Sequence, residues 1–177
     1  MTKLKLDKYA RDARTWGRGA EINYAASLEL FRSDNLVLWF PAASLGHHAL
    51  EMGFKAALIC EGLTVFNPKL VSKLDPATGL LEADCAWGHE LVPLAEELAA
   101  QRKDFDLDLD LGLPPIPVLD SPNTLRDGLK IFEPFFSELR YPVEMKELKG
   151  IGREDAWILQ VLFSVLRPFF RSEIGNN

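Results

Sequence analysis

Between Leu45 and Gly62 the chain reads LGHHALEMGFKAALICEG, apolar on nearly every side, yet His47, His48, Glu51 and Lys55 fall within nine positions. Few folds accept such a segment. With Pro41 ahead and Gly62 behind, it predicts a helix to about Glu61, because proline suits a first turn and glycine ends one. Each helical residue advances by about 100°, so His48, Glu51 and Lys55 share an arc of about 60°, with His47 at its edge. Gly46, Leu50, Gly53 and Ala57 lie opposite, and Leu45, Met52, Leu58 and Ile59 lie on the flanks. A helix with small or apolar residues on its remaining faces is packed on more than one side. The polar stripe is therefore expected to line a seam or shallow cleft, where charges need partners. Glu51 precedes Lys55 by four positions, the favourable order for a helical ion pair. His89, beside a helix start after Gly88, is the candidate to reach Glu51 from outside.

The rest of the chain supplies more helices. Residues 1–16 form a polar, partly helical lead-in that Gly17 and Gly19 interrupt. Ile22, Ala25, Ala26, Leu28 and Phe31 recur at helical spacing and predict an amphipathic helix over 20–32, ended by Ser33-Asp34-Asn35. Residues 63–87, with Pro68, Pro76 and Gly79, read as an irregular excursion with at most one short helical turn. Gly88 opens a third helix, HELVPLAEELAAQRK, with an apolar stripe of Leu91, Leu94, Ala95 and Leu98. Residues 104–122 alternate Asp with Phe or Leu and then turn proline-rich, an extended acidic connection with Leu107, Leu109 and Leu111 tucked inward. A fourth helix is expected from about Thr124 to Leu139, kinked at Pro134, and a last one from about Glu154 to Phe170. That last helix carries apolar residues on nearly all faces, so it is either the central core helix or half of a subunit interface. The fold class is all-α: a single domain over 1–177, a bundle of about five helices with the excursion between helices two and three.

Composition excludes several function classes. A net charge of −6 argues against a broad electrostatic grip on nucleic acid, although a local basic patch stays open. Cys60 and Cys85 give no disulfide framework. The start has no apolar run after its basic residues, and AWILQVLFSVL is too short to span a bilayer. The expectation is a cytoplasmic protein without a membrane segment. No metal or cofactor is expected: Cys85 and His89 are one spaced pair, where zinc wants three or four convergent ligands. Counted from Asp106, the sixth and twelfth places of a calcium loop fall on Leu111 and Pro117, so that loop fails.

The pattern H-x-x-E-x-x-x-K-x-x-L at His48, Glu51, Lys55 and Leu58 is followed by G-H-E-L-x-x-L at Gly88, His89, Glu90, Leu91 and Leu94. Together with Arg140-Tyr141-Pro142, it resembles the HEPN domains (higher eukaryotes and prokaryotes nucleotide-binding) over roughly residues 20–142. The resemblance implies an up-and-down helical bundle, a homodimer, and roles around nucleotides or RNA in toxin–antitoxin or phage-defence systems. Many such domains are RNases with an R-x(4–6)-H motif. This chain has no such motif, and YPVEMKEL after Arg140 contains no histidine, so RNase chemistry is not carried over.

Each candidate also has a plain structural alternative. His48, Glu51, Lys55 and His89 are either a buried network that fixes two helices, or a cleft in which Lys55 and a histidine hold a nucleotide or RNA phosphate. Arg140 and Tyr141 are either phosphate and base contacts, or a helix-end cap and a packed ring. The resemblance and the residues together point to a noncatalytic HEPN-like nucleotide- or RNA-associated module, a homodimer with a protein partner encoded nearby. The alternatives are a divergent HEPN RNase toxin and an interaction scaffold without a small ligand.

Overall fold

The computed structural model describes residues 13–61, 64–65, 71–72, 89–113, 122–137 and 151–170. It is an all-α bundle. Helix α1 spans Ala13–Phe31 and α2 spans Trp39–Cys60, with a short 3-10 turn at Leu36–Leu38 between them. Helix α3 is Leu91–Gln101, α4 is Leu125–Phe132, α5 is the four-residue Pro134–Ser137 and α6 is Arg153–Leu166. Two-residue strands Thr64–Val65 and Val71–Ser72 pair antiparallel inside the expected excursion, which is therefore not wholly irregular.

Helix α2 is the centre. From Gly46 to Ile59 every residue except His48 and Met52 is buried. Its glycines set the approach of its neighbours. A Cβ at Gly46 would lie 3.0 Å from Leu159 and 3.1 Å from Phe132. One at Gly53 would lie 2.8 Å from Leu166 and 3.2 Å from Phe170. The last helix, apolar on nearly every side in the sequence, is thus not the hub. It buries Ile158, Leu159, Leu162, Phe163 and Leu166 and leaves Trp157 43% exposed.

Helix α1 runs unbroken through Gly17 and Gly19, contrary to the expected interruption. Its buried positions Ala13, Gly17, Ala20, Ser27 and Phe31 keep helical spacing, so Gly17 belongs to the packed face. Packing of that face outweighs the weak helix propensity of glycine. Ser27 Oγ donates to the Ala42 carbonyl at 2.7 Å, and Tyr24 stacks on Phe163 with ring centroids 4.2 Å apart.

Contacts fix the helix directions. Ser27 meets Ala42 while Asn23 meets Met52, so α1 and α2 are antiparallel. Glu51 meets His89 while Glu61 meets Arg102, so α2 and α3 run parallel. Glu96 meets Arg126 while Val92 meets Glu133, so α4 turns back along α3. The passage from α2 to α3 keeps direction, unlike the strict up-and-down order that the resemblance implies.

In the described part of the acidic connection, turns at 103–104 and 107–108 alternate with open backbone, and Asp110 bridges Thr124. Phe105 and Leu107 are buried, but Leu109 is 40% exposed rather than tucked inward. The Asp108 amide bonds to the Asp106 carboxylate at 2.9 Å, a local turn that breaks the two-residue period. The predicted kink at Pro134 is a break: α4 ends at Phe132 and α5 starts at the proline, which has no N–H to continue the ladder. Pro168 interrupts the last helix at Arg167 in the same way. Gly53→Val is expected to cost about 2 kcal/mol, because the added atoms meet Leu166 and Phe170 in a filled core. A urea midpoint equal to that of the wild type would show that α6 yields freely.

Candidate functional site

Glu51 is 3% exposed and Lys55 is fully buried. One turn apart on α2, they form an ion pair through Lys55 Nζ and Glu51 Oε1. Lys55 also faces the Trp16 ring of α1, 5.4 Å from its centroid. On the same carboxylate, His89 Nδ1 lies 2.8 Å from Oε1, and His48 Nδ1 lies 3.4 Å from Oε2. The side chains of His48 and His89 are 37% and 17% exposed. The structure therefore brings His48, Glu51, Lys55 and His89 together, and it closes Lys55 off from solvent. A phosphate contact by that ammonium finds no support in this position.

His47 answers a different need. It is fully buried, and its Nδ1–H donates to the Phe132 carbonyl at 2.9 Å. Phe132 is the last residue of α4, where the break before Pro134 leaves carbonyls in need of donors. Next to it, the Glu133 carboxylate accepts from the Val92 amide at 3.2 Å, in the first turn of α3. The start of that helix has no side-chain cap of its own. One side of α2 thus gathers the start of α3 and the end of α4, each closed by a polar group from another element. The Val92 amide is already taken by an internal carboxylate.

Electrostatics follow burial. Burial pushes the Glu51 carboxyl up, but hydrogen bonds from His48, Lys55 and His89 and the Lys55 charge outweigh it and hold it at about 2. Burial lowers His47 to about 4, and its bond to Phe132 and the Glu51 charge offset only part of that. At the start of α6, burial raises Asp155 to about 6 against the Gly152 amide that it accepts at 2.9 Å.

Arg140, Tyr141 and Cys85 lie outside the described residues. Among the described residues, no group of three or more His, Cys, Asp or Glu side chains is placed to hold a metal. Among them also, no helix is long and apolar enough to cross a membrane. The sequence reading missed Trp16, the Phe132 carbonyl and Glu133. Two signals point to the last two: Pro134 orphans carbonyls before it, and the start of α3 lacks a capping side chain. Searched against protein-family models, curated proteins and solved structures, the chain matches none.

Removing Glu51 leaves Lys55 buried without its counter-charge. Glu51→Ala is expected to cost about 3 kcal/mol, against near zero for the exposed Glu29→Ala. Equal denaturation midpoints for the two variants would refute this. The fold accepts His47 in its neutral form, so its contribution is complete above about pH 6.5 and is lost as pH falls through 4. Asp155 opposes this, gaining as pH falls below 6, so the comparison is with His47→Gln, which keeps a donor for Phe132. Between pH 6.5 and 4 the wild type is expected to lose up to about 3 kcal/mol relative to that variant. Parallel stability–pH curves would contradict it.

Proposed function

We propose that the protein is a noncatalytic, HEPN-like module that binds a nucleotide or RNA, a cytoplasmic homodimer working with a protein partner encoded nearby in a toxin–antitoxin or defence setting. The observation that supports this is the split within the polar junction. Glu51 and Lys55 are buried and serve each other, whereas His48 and His89, oriented on the same carboxylate, reach the surface. Imidazoles held in place by a carboxylate offer fixed hydrogen-bonding edges to a phosphate or a base at little ordering cost. The missing Arg–His motif favours binding over chemistry.

Two imidazoles on one carboxylate are also equipment for proton transfer, and that observation favours a second reading, a divergent HEPN RNase. Fluorescence polarisation with labelled oligoribonucleotides, and thermal shifts with mononucleotides, separate the two. Binding without cleavage, weakened about tenfold by His48→Ala, is the expected outcome. RNA cleavage that is lost in His48→Ala or His89→Ala would replace the first reading with the second. No binding by the wild type would leave an interaction scaffold.

A further inference from the structure

The helices α1 and α6 lie antiparallel, and the Arg153–Asp34 ion pair marks the end where α1 finishes and α6 starts. A groove of about 300 Å³ opens there, lined by Leu28, Phe31, Ala156 and Gln160, with Arg32 and Arg153 on its rim. The two arginine side chains are 72% and 60% exposed. Their partners, Glu29 and Asp34, sit in solvent, and ion pairs of that kind exchange partners cheaply. A different part of the molecule carries the complement. Leu109 is 40% exposed between Asp108, whose side chain is 83% exposed, and the exposed Asp110. This ridge is held by backbone bonds from Leu125 to Leu109 and from Arg126 to Leu107, each 3.0 Å, so Leu109 is presented outward without a further ordering cost.

We propose that the groove receives the Asp108–Asp110 ridge of a second copy of this chain. Leu109 enters the apolar floor of Leu28, Phe31 and Ala156, and the flanking aspartates meet Arg32 and Arg153. The pairing is complementary in both respects that matter at a contact, an apolar side chain for an apolar slot and carboxylates for guanidiniums. Groove and ridge are different patches, so the contact is head-to-tail and, beyond the homodimer proposed above, adds further copies in a ring or a chain.

Sedimentation velocity over a concentration series tests it. Wild-type average mass is expected to rise with concentration and to fall back in high salt. Arg153→Glu alone and Asp108→Arg alone are each expected to weaken association about tenfold or more, since each sets like charges face to face. An equimolar mixture of the two variants restores it, because each reversed groove then meets a reversed ridge. Both positions are exposed, and unchanged circular dichroism confirms folding. A wild type that stays monomeric throughout overturns the proposal. So does a dimer indifferent to both reversals, which would place the interface elsewhere, and so does a mixture that fails to restore association.

Discussion

A carboxylate and an ammonium buried side by side in an otherwise apolar helix set the terms for the rest of the structure. Neither Glu51 nor Lys55 tolerates burial alone, because a lone charge in a core costs several kcal/mol. Each therefore needs the other, and both need helix α2 to remain where its partners are. Trp16 of α1 covers the ammonium, and His89 at the head of α3 covers the carboxylate. An apolar pair of similar volume would fill the same space. It would not select which neighbouring helix sits at which level, whereas a carboxylate that requires an N–H at one height does.

The second histidine belongs to the same logic with the roles reversed. Where Glu51 accepts from outside α2, His47 donates outward to the end of α4. Adjacent histidines on a helix point about 100° apart, so one reaches the junction rim and the other the core. Their tasks differ accordingly. His47 is held neutral by burial and belongs to the frame. His48 keeps more than a third of its side chain in solvent.

Much of this was legible from the residues. The period of the stripe identified α2, and the i,i+4 order identified the Glu51–Lys55 pair, because both are local properties of one helix. The reach of His89 to Glu51 was legible because both partners are polar side chains that stand out in the sequence. What escaped were pairings between distant elements made through the backbone, such as His47 with the Phe132 carbonyl, since every residue carries a carbonyl and none is distinguished by its side chain. Leu109 escaped for a related reason: alternation predicts direction only while the strand stays regular, and Asp106 turns the chain just before it. Gly17 misled because helix propensity is a weak local term and the packing of α1 on α2 is a strong one.

The shared direction of α2 and α3 has its own consequence. Helices joined head to tail by a tight loop must oppose one another. Two that point the same way leave the ends of their connection apart, here the level of Glu61 and that of Glu51, roughly 15 Å at helical rise. Topology therefore sets the ends of this connection, Glu61 and His89, at different levels of α2. The Glu61–Arg102 and Glu51–His89 pairs hold α2 and α3 in register at these two levels.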